Sequence, residues 1–330
     1  MTTHVPTDTP RRLHADSGPA DRIFRGGLRG GGALVLAIMS LVGGFLAYQA
    51  WQALEEAGTG FVTTETWEPD SGNFGIAAVL VGTVLIAAVA ILVAVPLALG
   101  TALYISEMAP DRIRRALISL VDLMAAVPSV VYGLWGLFFL QGNVVGLARW
   151  LSTYCGWFPP FEVTGADPKD PLATETVYTA STFIAGIVVA MMVAPIICSI
   201  MREVFSQAPV GEREGALALG ATRWGMIRSV VLPFGRGGMI GGTMLGLGRA
   251  LGETIGVYMI ISPVFEIQWH VLEAGGNSVS ALIALRYGEA SEFGMSALMA
   301  AGLALFLVTL VVNFIASSIV ARSRSGAATD

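Results

Sequence analysis

Six runs of mostly apolar residues divide the chain: Gly31 to Trp51, Phe74 to Ile105, Leu117 to Leu140, Thr182 to Met201, Pro233 to Ser262 and Met295 to Val320. About 20 helical residues at about 1.5 Å each cross roughly 30 Å of hydrocarbon, so each run is long enough to span a bilayer. The pattern predicts an all-α integral membrane protein with six transmembrane helices. Pro96, Pro128 and Pro195 fall inside three of the runs and are candidate kinks whose freed backbone groups neighbouring helices must satisfy. Two amphipathic pieces between runs, Asn143 to Thr153 and Ser278 to Tyr287, read either as short helices at the outer membrane surface or as loops that only connect spans.

Charge orients the spans. Arg11, Arg12, Arg22, Arg25 and Arg29 precede the first, Arg112, Arg114 and Arg115 follow the second, Arg202, Arg213, Arg223, Arg228 and Arg236 surround the fourth connection, and Arg322 and Arg324 follow the sixth. The opposite connections hold only Arg149, Lys169 and Arg286 among many acids. Lys and Arg near span ends stay cytoplasmic, so both termini are expected inside. The organisation expected is a basic cytoplasmic tail (1–30), an uncleaved anchor helix (31–54), an external loop (55–73), a permease core (74–320) and a short cytoplasmic tail (321–330).

Composition agrees. Residues of the AVILMFWYC set make up 54% of the chain, 40 residues are glycine, and only 13% are charged. A mean hydropathy of +0.69 disfavours disorder, a fibrous repeat or a nucleic-acid partner. Cys155 and Cys198 have no ligand-like spacing, and His4, His14 and His270 are scattered, so neither a metal centre nor a catalytic triad is expected. Lys169 is the only lysine, which leaves no phosphate-cradling G-x-x-x-x-G-K-[ST] loop. The chain itself is therefore expected to carry no cofactor, and any ATP and Mg²⁺ to belong to a separate subunit.

The connection between spans four and five, within 203–233, carries the strongest local signal. Pro209, Glu212 and Glu214 suit a helix start. Gly220 suits a left-handed helix end, and Thr222 a second cap. Two short helices joined at a bend are predicted, with Gly215 and Ala216 small enough for close approach and Leu217 and Leu219 available for apolar contact.

Span five contains two glycine series at four-residue spacing, Gly238, Gly242, Gly246 and Gly248, Gly252, Gly256. Small residues so spaced let helices approach closely in lipid, which predicts Gly238, Gly242, Gly246 and Gly252 as packing positions and span five as central. Arg249 and Glu253 stand one helical turn apart in the same run. An ionised side chain deep in a membrane costs about 3 kcal/mol, so the pair is expected either to neutralise itself or to face a water-filled path, where the Arg fork suits an oxyanion. Asp122 lies nearer the cytoplasmic edge and reads as structural.

The loop resembles that of ABC importer membrane subunits, E-A-A, three residues, G, nine residues, I, one residue, L-P: Glu214, Gly215, Ala216, Gly220, Val230, Leu232 and Pro233 fall in register, with Gly215 and Val230 as departures. Three further stretches, 74–83 with 95–110, Val127 to Gly133, and Leu247 to Met259, resemble the PstC-type subunits of phosphate importers. The resemblance implies a type I, MetI-like permease fold in a bacterial inner membrane. It further implies a PstA-type permease as heterodimer partner, a PstB-type ATPase dimer docked on Glu214, Gly215, Ala216, Gly220, Leu232 and Pro233, and a PstS-type phosphate-binding protein outside. Arg249 and Glu253 then become substrate-path candidates. Sulfate or molybdate permeases share the loop, and an ion-coupled carrier would also suit six spans with a charged pair.

Overall fold

The computed structural model describes residues 18–164, 167, 170 and 174–324. Arg11, Arg12, His4, His14 and Lys169, with the outermost parts of both expected tails, lie outside the described residues. Six helical stretches are long and apolar enough to cross a membrane: Ala20–Val62, Ala77–Met108, Ser129–Cys155, Thr182–Ser206, Arg223–Leu251 and Glu292–Ile319.

The first helix, α1 (Pro19–Ala57), starts earlier than the expected anchor. Proline at its first position and Asp21 in its first turn favour a helix N-terminus, and Arg25 pairs with Asp21 one turn away at 3.1 Å. The chain divides into two units, Met1–Phe45 and Leu46–Asp330. All that follows concerns the second.

After a two-stranded hairpin, β1 (Trp67–Glu68) against β2 (Asn73–Phe74), come α2 (Ala77–Leu103), α3 (Asp111–Ala126), α4 (Ser129–Trp135) and α5 (Gln141–Cys155). α6 (Thr182–Ser206), α7 (Val210–Ala218), α8 (Arg223–Met226), α9 (Leu232–Leu251), α10 (Ile255–Tyr258), α11 (Val279–Arg286) and α12 (Glu292–Arg324) complete the chain. Five-residue π turns at Tyr104–Met108, Gly136–Leu140 and Ile227–Val231 continue α2, join α4 to α5 and join α8 to α9.

Two spans depart from the sequence expectation. The run from Leu117 to Leu140 is not one helix: α3 ends at Ala126, Val127 is extended at φ −65°, ψ 130°, and α4 begins after Pro128. Crowding by the proline ring drives the preceding residue out of the helical region, and the Tyr132 hydroxyl donates to the Met124 carbonyl at 2.9 Å, satisfying an acceptor at the break. The third span is instead Ser129–Cys155, so Asn143 to Thr153 belongs to it and is no surface helix. Pro96 and Pro195 stay inside intact helices.

The second correction concerns the centre. α6 is apolar all round ahead of Arg202 and is mostly buried, whereas span five is mostly not; a helix stretch without a polar face belongs in the middle. Ala87, Ala90, Ala94, Ala98 and Ala102 of α2 are buried in the same cluster as α6; such small side chains allow the close approach on which packing in lipid depends. A second cluster joins the end of α1, the hairpin, α11 and α12 through Ala50, Phe74, Val279 and Leu298.

The connections preceding α6 and α11 are tied by a carboxylate that sequence reading did not single out. Glu273 accepts from the Thr164 backbone N–H and hydroxyl and from the Gln268 amide at 2.8 Å, with His270 Nδ1 at 3.5 Å. Burial pushes its carboxyl up, but the two Thr164 bonds, the nearby His270 and the Gln268 amide outweigh that and hold it below its usual value.

Candidate functional site

The fourth connection folds locally as its residues dictate. Pro209 precedes α7, and Glu212 lies in its first turn. Gly220 sits at φ +85°, in the left-handed region where a side chain is penalised. That conformation lets Ala221 N–H donate to the Ala216 carbonyl at 3.1 Å and Gly220 N–H to the Leu217 carbonyl at 3.0 Å. This pair of bonds is a Schellman ending, which satisfies carbonyls that the helix leaves over. The Thr222 hydroxyl accepts from Gly225 N–H at 3.1 Å and caps α8.

The free face of α7 is open. Glu214 and Gly215 are exposed, a Cβ at Gly215 would meet nothing within 4 Å, and Leu219 is 91% exposed. Ala216 faces the other way and packs on the main core, as does Leu232. Pro233 is exposed near the start of α9. The second of the two helices is not a separate piece: α8, the π turn and α9 form one stretch, Arg223–Leu251. Widening to the i→i+5 pattern just ahead of Pro233 carries the helix into a residue that has no N–H to give.

Three glycines of α9 lie against α6, and Gly252 does not. A Cβ at Gly238 would lie 2.4 Å from Val204, at Gly246 2.5 Å from Ile197, and at Gly242 3.3 Å from the Ile197 carbonyl, so α9 lies backbone-close on α6. Gly252 packs on no other helix. Its nearest neighbours are carbonyls of its own turn at 3.6 Å and beyond, and it caps the end of α9. Two further close contacts are Gly235 against Phe205, which was not assigned from sequence, and Gly256 of the second glycine series, now in α10, whose Cα stands 3.1 Å from the Cβ position of Gly133 in α4.

Because α9 ends at Leu251, Arg249 and Glu253 are not neighbours on one helix. Arg249 is exposed in the last turn of α9, where the C-terminal dipole favours a cation. With Ile196, Met244, Leu245, Gly248 and Asn313 it lines an open groove of about 360 Å³. Glu253 is only 9% exposed; its carboxylate accepts from Gly256 N–H at 3.2 Å, and its carbonyl accepts from the Ser280 hydroxyl at 2.6 Å. No ion pair joins the two among the described residues. The break follows from Gly252, a poor helix former, and from the hydrogen bonds that hold Glu253 beyond it. Asn313, on α12, is the polar groove residue that hydropathy alone concealed.

One contact at the base of the bundle has no counterpart in the sequence reading. Arg213 of α7 places Nη2 3.3 Å from Glu107 Oε1, with side-chain exposures of 19% and 4%, and the same nitrogen donates to the Phe205 carbonyl near the end of α6. Glu107 lies in the π turn that ends span two.

A family model for a binding-protein-dependent transport system inner membrane component matches residues 94–325. The chain is 36% identical to a phosphate transport system permease protein PstC 2 of Mycobacterium tuberculosis, over 95% of this chain and 97% of that one. It is 37% identical to a phosphate transport system permease protein PstC of Mesorhizobium japonicum, over 93% and 92%. Among solved structures, it resembles a chain of the bacterial alginate ABC transporter in complex with an alginate pentasaccharide-bound periplasmic protein, with TM-score 0.56, 17% identity, and 92% and 97% of the two chains covered. A chain of the MetNI methionine ABC transporter in an inward-facing conformation gives TM-score 0.51 at 14% identity, covering 73% of this chain and 93% of that one. At these identities the two structures speak for the fold, that of the type I importer permeases.

Proposed function

Given that this chain belongs to the family of binding-protein-dependent transport system inner membrane components, we propose that it is the permease subunit of an ATP-driven phosphate importer, forming half of the translocation pathway. It is a multi-pass membrane protein and a transporter subunit. The membrane is the bacterial inner membrane, with both termini on the cytoplasmic side. A second permease of PstA type completes the path, a PstB-type ATPase dimer hydrolyses ATP with Mg²⁺, and a PstS-type protein delivers phosphate from outside.

The observation that carries this reading is the exposed face of α7, set by the left-handed Gly220, in a chain whose PstC relatives match it nearly end to end. A nine-residue helix held against the bundle by Ala216, with Glu214, Gly215 and Leu219 facing out, suits insertion into a groove on another protein. Leu232 and Pro233, at the start of α9, sit where such a contact passes into span five. Arg249 supplies the fixed cation for the anion in transit: phosphate carries one to two negative charges near neutral pH and sheds hydration on entering the bundle, and a guanidinium is suited to compensate it.

The experiment is uptake of radiolabelled phosphate into vesicles holding the complete complex, with binding protein outside and ATP inside. ATP-dependent uptake that sulfate and molybdate do not compete away is the expected result. Uptake that proceeds without the ATPase subunit, driven by an ion gradient, overturns the reading.

A further inference from the structure

We propose that Arg213 is a positioning residue of the transport cycle: through its contacts with Glu107 and the Phe205 carbonyl it ties α7 to the ends of spans two and four, so that displacement of α7 moves those spans together. The proposal rests on the reading of α7 as the ATPase-facing helix.

The ion pairs Arg25–Asp21, Arg114–Asp111 and Arg286–Glu289 each join residues within one turn of chain, and each has at least one widely exposed partner. Such pairs contribute little. Arg213–Glu107 differs in both respects: it joins two separate elements, and both side chains are enclosed. Attraction between enclosed charges depends steeply on separation because little water screens it. Removing one member leaves the other desolvated without compensation.

The alternative attachment for α7 is apolar, through Ala216, and a small methyl contact can slide. One guanidinium nitrogen is held between a carboxylate on one element, by charge, and a backbone carbonyl on another, by a hydrogen bond that supplies direction, and so resists sliding. Arg213 Nε and Glu107 Oε1 are buried without hydrogen-bond partners. Charge at 3.3 Å therefore holds the pair, and its unused donor and acceptor can be engaged by a modest shift of α7.

The test measures phosphate imported per ATP hydrolysed by the reconstituted complex for wild type, Glu107→Gln, and the reversed pair Arg213→Glu with Glu107→Arg. Glu107→Gln is expected to keep its ATPase subunit and hydrolyse ATP while importing about tenfold less phosphate per ATP, and the reversed pair, which restores the attraction but not the bond to the Phe205 carbonyl, to recover part of that ratio. A wild-type ratio in Glu107→Gln, or a loss that reversal does not relieve, overturns the proposal. If Glu107→Gln does not accumulate, Arg213→Lys replaces it. Lysine keeps the charge, but its ammonium falls about one bond short of the place Arg213 Nη2 takes between the carboxylate and the Phe205 carbonyl, so about a threefold fall in the ratio is expected and an unchanged ratio overturns the tie. A wild-type complex that imports no phosphate with ATP refutes the importer reading instead, so the two failures are distinguishable.

Discussion

Ala221 donates its backbone N–H to the carbonyl of Ala216 at 3.1 Å, across the left-handed Gly220 that makes the bond reachable. α7 therefore owes its angle on the bundle to a residue without a side chain. Placing a β-branched residue there costs about 1–2 kcal/mol or more, and the helix is expected to relieve the strain by swinging away. Gly220→Val should lose most of its copurifying ATPase or its phosphate uptake, whereas Gly220→Asn, which tolerates the left-handed region, should keep the larger part of both. Normal copurification and uptake in the valine variant would count against α7 as the docking element.

Backbone-close packing of α9 on α6 predicts a contrast between Gly238, in the N-terminal half of α9, and Gly252, which caps its C-terminus. Gly238→Val must displace Val204, itself stiff, and overpacking of this kind costs about 1–3 kcal/mol. Gly252→Ala adds a methyl at ordinary contact distance and should change stability by less than about 0.5 kcal/mol. Membrane abundance and thermal unfolding in detergent separate them, and equal losses would contradict the packing described.

For Arg249, the expected order of uptake is wild type, then Arg249→Lys, then Arg249→Gln, since lysine keeps the charge but loses the fork. Glu253 is engaged by Gly256 N–H rather than by the guanidinium. Neutralising it with Glu253→Gln should therefore not restore uptake to Arg249→Gln. An abundant, transport-competent double variant would make Arg249 scaffolding.

Glu273 gives a pH dependence of known sign. Its carboxyl titrates lower in the folded chain than in the unfolded one, so its stabilisation is complete above the unfolded value, about 4.3. It disappears as pH falls through the folded value. The difference in unfolding temperature between wild type and Glu273→Gln should be largest near neutral pH and shrink below about pH 4. A difference that grows on acidification would refute the assignment.

Much of the fold is legible in the sequence because a bilayer demands long apolar runs. The bend between α7 and α8 is legible because Gly220 and Thr222 act through bonds within a few residues. What escapes depends on contacts distant in sequence. Pro96, Pro128 and Pro195 look alike in a hydropathy trace, yet among them only Pro128 divides a helix, where the Tyr132 hydroxyl stands ready for the Met124 carbonyl. Arg249 and Glu253 form a pair only if the helix continues, and Ser280, on another element, holds the chain where it stops. The buried partnership of Arg213 with Glu107 leaves no periodic trace at all.

The uninterrupted stretch Arg223–Leu251 has a mechanical meaning. Its 29 residues make a rod of about 43 Å at 1.5 Å per residue. Rods turn more readily than they bend, so a tilt of about 5° about the middle moves each end by roughly 2 Å in opposite directions. On the proposed reading, with α7 at one end and Arg249 near the other, a small push on α7 would become a comparable, reversed stroke at the groove, with no helix melted along the way.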